Sequence, residues 1–344
     1  MDDFFKSLPK VDLHRHLEGS LRFETVRELA RKHEMDLPAT AQLRTMVQIQ
    51  EDQPLNFENF LSKFATLRLF YRSPEIIGRI TREAIADAAA DNVRYLELRF
   101  TPVALSKAQG FPLAKVMDWV VEGARHSEEE FGVVTRLIVS VNRHESPPLA
   151  AQVSFLAAER IQEGIVGIDL AGNEASFSSE PFVTIFQNAR RRGLRVTVHA
   201  GEWGEGNNVG QAIHLFGAER IGHGIHVLET PYTLGLALER NAVFEVCITS
   251  NYQSGALAAN QPHPLLKMIE AGLRVTINSD DPSVSQIDLS HEYRYAMDKL
   301  GFSLTQLRGL VLAAAQSAFL PPDERDKLVA RIAAEFPTTV PVVS

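Results

Sequence analysis

A chain of 344 residues, 45% of them hydrophobic, can bury one large α/β core or two smaller ones. A net charge of −8 excludes the basic surface that a nucleic-acid scaffold needs, and no apolar run reaches the ~18 residues of a membrane span. The single cysteine, Cys247, excludes a disulfide framework and a thiolate-cluster metal site, so any metal must be held by His and carboxylate side chains. The opening M-D-D-F-F-K-S-L-P-K has neither a basic nor an apolar leader region, and a cytoplasmic protein is expected.

The first informative segment is K-V-D-L-H-R-H-L-E-G-S-L-R, residues 10–22. It reads as a strand in which Asp12, His14 and His16 alternate with Val11, Leu13 and Arg15, so both histidines share one face at the strand's end. Two imidazoles at i and i+2 on a strand can chelate one ion from the same side. Gly19 and Ser20 then turn the chain, with Ser20 expected as a helix N-cap. Residues 24–90 read as a helical insertion with an irregular stretch at 38–54. Inside it, Phe57, Phe60, Leu61, Phe64, Leu67 and Phe70 recur at helical spacing, which suits core packing or the wall of a pocket for a flat ligand. Ser73 and Pro74 fit the N-cap and N1 positions of the next helix.

Strand and helix then alternate. Residues 93–101 form the second strand, with Glu97 and Arg99 opposite Leu96, Leu98 and Phe100. The third spans 133–142 and is closed by Arg143 and His144; the fourth, I-V-G-I-D-L-A-G, ends at Gly172. The fifth, V-T-V-H-A-G-E over 196–202, carries His199 with Glu202 just past its end, and the sixth, R-I-G-H-G, carries His223. Residues 243–249 make the seventh, and 274–278 the eighth, before S-D-D-P. Eight strands separated by helical pattern predict a (β/α)8 barrel, and without a linker-like break residues 1–344 read as one domain. G-L-R-V-T occurs at 193–197 and again at 272–276, each glycine closing a helix. Counting from these glycines, His199 and Asp280 fall at even offsets and so on the same inward face.

Such a barrel builds its active site from the C-terminal strand ends. Those ends carry His14, His16, His144, Gly172, His199, Glu202, His223, Asp280 and Asp281, which include five of the eleven histidines. Three imidazoles and one carboxylate would leave a position for water on a divalent ion, zinc being the best match, and would lower that water's pKa towards ~7. His223 and Asp280 suit orienting and deprotonating it, while Glu202 stands close enough to protonate a substrate. Gly172 admits a ligand to a bare backbone amide, and Asp281 adds a further donor or acceptor.

The motifs H-R-H-L-E-G, D-L-A-G-N-E, V-H-A-G-E, R-I-G-H-G, N-S-D-D-P and S-A-F-L-P, in this order and over nearly the whole chain, resemble the adenosine deaminase family of the amidohydrolase superfamily. The resemblance implies one zinc per chain, bound by His14, His16, His199 and Asp280. It further implies Glu202 as proton donor to purine N1, His223 as the residue orienting the attacking water, Gly172 as backbone donor to N3 and Asp281 as partner of N7. The implied ligand is a small purine nucleoside, and the reaction is water attack at C6 with loss of ammonia. Two positions depart from the family pattern. Glu18 stands where adenosine-specific members commonly carry Asp near the ribose 5′ hydroxyl, and Asn173 replaces an acid. Adenosine or 2′-deoxyadenosine is the expected substrate, with adenine or a 5′-enlarged adenosine such as aminodeoxyfutalosine as the alternative. A binuclear amidohydrolase acting on an amide or phosphoester would need a bridging lysine that the fourth strand lacks, and a catalytically silent nucleoside binder would not need every catalytic position filled.

Overall fold

In the computed structural model, which describes residues 2–36 and 38–339, the chain forms eight parallel strands that neighbour one another in sequence order. They are β1 (Lys10–His16), β2 (Val93–Phe100), β3 (Val134–Asn142), β4 (Ile165–Ala171), β5 (Arg195–Ala200), β6 (Arg220–His223), β7 (Val243–Val246) and β8 (Arg274–Ile277). The ring closes just past β8, where Asp280 bridges Arg15. There the His16 amide donates to the Asp280 carbonyl and the Asp280 amide to that of His14, both at 2.8 Å. This is the expected (β/α)8 barrel. No described helix is long and apolar enough to cross a membrane.

Four local expectations are corrected. Between Asp12 and Arg15 β1 carries one residue more than β2, a bulge that breaks the alternation. Asp12 therefore meets Arg15 (3.1 Å) and Ser279 (2.6 Å) instead of the two histidines. Ser20 caps no helix; its hydroxyl donates to the His16 carbonyl at 2.7 Å, and the helix begins later as α1 (Phe23–Lys32). The stretch expected to be irregular holds α2 (Thr40–Val47), which buries only Leu43 and Val47. Further on, α3 (Phe57–Leu67) is capped by the Asn56 side chain, which accepts from the Asn59 amide at 2.9 Å. Ser73 caps α4 (Pro74–Ala90) as its sequence predicts. The seventh strand stops at Val246 instead of running to Thr249, because the chain turns at Cys247 into α5 (Ile248–Gln253).

Apolar residues of both strand faces and the surrounding helices form a continuous core. Inside the barrel, however, the inward positions of β2, β4, β6 and β7 carry charge. Arg99 Nη2 lies 2.8 Å from Glu245 Oε2, Arg220 Nε lies 2.6 Å from Glu245 Oε1, and Arg220 also pairs with Glu97. Asp169 joins through Arg99 Nη1 at 3.5 Å, and all five side chains are fully buried. Removing one member would strand its partner without solvent, so this layer is a rigid floor for what lies above it.

Candidate active site

Strand ends β1, β5, β6 and β8 converge their histidines and Asp280 on one space. His14 Nε2 lies 3.3 Å and His16 Nε2 3.4 Å from Asp280 Oδ1, and His16 Nε2 is 3.4 Å from His199 Nε2. His223 faces the other carboxylate oxygen, with Nε2 3.8 Å from Asp280 Oδ2. By distance alone His14, His199, His223 and Asp280 form a candidate metal cluster, with donor atoms within 4.8 Å of one another. That grouping exchanges His223 for the expected His16; hydrogen-bond polarity, taken up below, favours His16.

The donor set fits a divalent ion. His14 Nδ1 lies 2.9 Å from Glu245 Oε2 and His199 Nδ1 3.0 Å from Asp169 Oδ1. Burial opposes ionisation of both carboxyls, but Arg99 and Arg220 hold Glu245, and His199 and Arg99 hold Asp169, well below the usual carboxylate range. An ionised carboxylate only accepts, so both imidazoles carry a proton on Nδ1, which leaves Nε2 as the nitrogen that can meet a cation on the inward side. Neither His14 Nε2 nor Asp280 Oδ1 finds a hydrogen-bond partner although both are buried. Such orphaned donor atoms, facing each other, are what a cation would satisfy. Burial also works against Asp280 as a charge, yet the imidazoles of His14, His223 and His16 keep it ionised.

Glu202 has the opposite surroundings. It is buried, 3.5 Å from His223 Nε2, and burial together with the Asp280 and Glu174 carboxylates raises it well above the usual range. A carboxyl shifted in that direction is suited to donating a proton. The turn that presents it is tied down by Glu174, which accepts from the amides of Gly201 (2.7 Å), Glu202 (3.1 Å) and Gly204 (3.1 Å). Asp281 is likewise raised, by burial and then by Asp280, Glu18 and Glu202. Its side chain occupies the place a Cβ on Gly19 would need, 1.7 Å from Oδ1, which explains the glycine in H-L-E-G-S. Glu18 accepts from the Thr101 amide at 2.8 Å through Oε1, while its buried Oε2 has no partner. His223 (φ 61°) and Asp280 (φ 57°) both sit in the left-handed backbone region, where side-chain-bearing residues concentrate at functional sites.

His14, His16, His199, Glu202, His223, Asp280 and Asp281 thus come together, and Gly172 and Glu18 line the same cleft. His144 does not join; it is exposed and packs on Phe177. Helix α3 supplies Phe60, Leu61 and Phe64 to the wall, as the aromatic stripe suggested, and Trp203 faces them. Arg68 also lines the cleft, with a buried Nε that has no partner. A larger cavity of about 480 Å³ opens at the N-terminal strand ends beside Arg195, Arg220 and Arg274, but none of the strand-end chemistry lies there. Sequence reasoning missed Asp169, Glu245, Glu174 and Asn251. The available signal was a carboxylate at an inward position of an otherwise apolar strand, as in V-F-E-V and I-V-G-I-D-L-A.

Residues 9–335 match the family model for adenosine deaminase. The chain is 37% identical over 330 residues to an adenosine deaminase of Erwinia tasmaniensis, covering 95% of this chain and 98% of that one. Among solved structures it resembles an amidohydrolase of Burkholderia ambifaria with bound zinc, at TM-score 0.88 and 29% identity over 97% of this chain and 92% of the other. It also resembles the adenine deaminase of Arthrobacter aurescens, at TM-score 0.87 and 28% identity over 95% and 98%. With that match spanning the barrel and every strand end that builds the cleft, the chain belongs to the adenosine deaminase family and is a hydrolase of a C–N bond in a cyclic amidine.

Proposed function

We propose that the chain deaminates adenosine and 2′-deoxyadenosine to the inosine products with one zinc ion per chain. The observation that carries this reading is the pairing, in one cleft, of an imidazole–carboxylate cluster with a buried glutamate, Glu202, that lies 3.5 Å from His223 and whose surroundings favour its neutral form. His14, His16, His199 and Asp280 would hold the ion through Nε2 atoms and Oδ1. When bound, zinc supplies a water acidic enough to attack at neutral pH.

The residues then divide the work. His223 Nε2 and Asp280 Oδ2 lie 3.8 Å apart, so His223 would orient the attacking water as a hydrogen-bond donor and the Asp280 carboxylate would receive its proton. Glu202 gives its proton to purine N1, which makes C6 electrophilic as oxygen adds there. The proton taken from water passes from Asp280 to the amino group, which leaves as ammonia, and the C6 hydroxyl proton returns to Glu202 as the carbonyl forms. Gly172 and Asp281 bind N3 and N7, while the α3 aromatic wall and Trp203 exclude bulk water from the purine faces. Charge balance holds throughout: one water enters and one ammonia departs.

A second reading is an adenosine carrying a larger 5′ group. It is favoured by Arg68, whose unpartnered guanidinium nitrogen lines the cleft together with Glu18. Amine release, methylamine from N6-methyl-AMP and ammonia from adenosine, deoxyadenosine, adenine and aminodeoxyfutalosine, tests both. Highest kcat/KM on the plain nucleosides supports the first reading, and release from none of the five overturns the deaminase assignment. Metal analysis of about two equivalents per chain would favour a binuclear hydrolase instead.

A further inference from the structure

The polarity of His223 is set from outside the cleft. The Leu265 amide donates to His263 Nδ1 at 3.1 Å. An amide N–H cannot accept, so a neutral His263 carries its proton on Nε2. That nitrogen is 3.2 Å from Asn251 Oδ1, which accepts it. The other end of the carboxamide, Nδ2, then lies 3.0 Å from His223 Nδ1 and must donate. His223 Nδ1 is therefore the acceptor, and its single proton sits on Nε2, the nitrogen turned towards Glu202 Oε2 and Asp280 Oδ2. Rotating the carboxamide by 180° would oppose two donors at His263, so the network permits one orientation only.

The surroundings keep this chain of donors intact. His223, Asn251 and His263 are 1%, 0% and 5% exposed, so water cannot substitute for a missing partner. Burial pushes the His263 imidazolium down to about 3, leaving the ring neutral at any working pH. Asn251 rides on α5, whose N-terminal amides of Ile248 (2.7 Å) and Thr249 (3.1 Å) are anchored by the buried Glu292 carboxyl. His14 and His199 present the converse arrangement. Their Nδ1 atoms meet carboxylates, which only accept, so those nitrogens carry the proton and Nε2 is left as the one that can bind a cation. One ring type is thus set to two polarities by exchanging a carboxylate for a carboxamide at Nδ1.

We propose that Asn251 and His263 are positioning residues that hold His223 as the Nε2–H tautomer, making it a hydrogen-bond donor in the cleft and barring it from the metal, so that His16 completes the ligand set. The role given to His223 in turnover rests on the deaminase reading; its tautomer does not. No net charge changes, because the relay selects where a proton sits.

Nitrogen-15 spectra of histidine-labelled, zinc-free protein read the tautomers directly, with His223→Gln and His263→Leu identifying the two rings. We expect both His223 and His263 as Nε2–H in the wild-type chain. Asn251→Asp, whose carboxylate can only accept, should invert His223 to Nδ1–H. In zinc-loaded enzyme the same variant should lose at least ~10²-fold in kcat, with KM and zinc content unchanged. His263→Gln retains a donor towards Asn251 and should stay within about threefold of wild type, whereas His263→Leu should fall at least ~10-fold. A wild-type His223 protonated on Nδ1, or wild-type turnover in Asn251→Asp, overturns the proposal. If no purine is deaminated by any variant while the tautomers are as expected, the deaminase reading fails and the relay stands.

Discussion

Glu202 and Asp280 are both buried carboxyls in one cleft, and their neighbours drive them apart. Asp280 is ringed by His14, His223 and His16, which favour its ionised form, while burial and then the carboxylates of Asp280 and Glu174 favour the neutral form of Glu202. Glu202→Gln should therefore keep its metal and lose at least ~10²-fold in turnover, as paired metal analysis and ammonia release would show; unchanged turnover removes Glu202 from the mechanism. The imidazole supports make a separate prediction. Glu245→Gln or Asp169→Asn should weaken metal binding by about 10- to 100-fold in a chelator competition, because His14 or His199 loses its fixed Nδ1–H. His14, His16, His199 and Asp280 were legible in the sequence because strand parity and strand ends are local properties. Glu245 was not, since it meets His14 across 231 residues of chain, and no local pattern reports that pairing. Asn251 was equally hidden: its function depends on a histidine twelve positions away that itself answers to a backbone amide.

Individual elements show where local pattern succeeds and where packing overrides it. The α3 stripe of aromatics was readable from its spacing, and Phe60, Leu61 and Phe64 do line the cleft. Phe64→Ala should raise KM about 5- to 20-fold with little change in kcat, since that ring touches ground state and transition state alike; steady-state kinetics would separate the two. The bulge in β1 and the early end of β7 were not readable. Both arise from contacts far away, Asp12 with Ser279 and the α5 amides with Glu292. Glu292 gives this element a pH signature. Burial outweighs its hydrogen bonds from Thr249 and Ile248 and lifts it to about 7, above its unfolded value. A carboxyl raised on folding stabilises the native state fully below the unfolded pKa, and that contribution fades as pH climbs to about 7. The melting-temperature difference between wild type and Glu292→Gln should hence decline from about pH 4.5 to 7 and then level off. A flat difference across that window would show that Glu292 ionises normally.

Over the whole molecule, the alternation of strand and helix made the barrel predictable, but not the charged layer that fills its centre. Period-two alternation places Glu97 and Arg99 inward, yet only the assembled ring reveals Arg220, Glu245 and Asp169 as their partners. Zinc removal should act on the whole fold, because the proposed ligands span β1, β5 and the segment after β8. The melting temperature should drop by at least ~5 °C in metal-free protein and recover on zinc addition, as calorimetry can check. Hydrogen exchange should show the amides of His16 and Asp280 losing protection before those of the mid-strand residues, since these two close the ring.

That closure has a bearing on the order of assembly during synthesis. The two histidines of β1 leave the ribosome more than 260 residues ahead of Asp280, whose backbone latches that strand and whose carboxylate faces both imidazoles. Until it arrives, β1 has one neighbour instead of two, and the cleft lacks its carboxylate. A nascent chain therefore carries the three imidazoles of the proposed ligand set before their carboxylate, and one segment both closes the ring and completes that set.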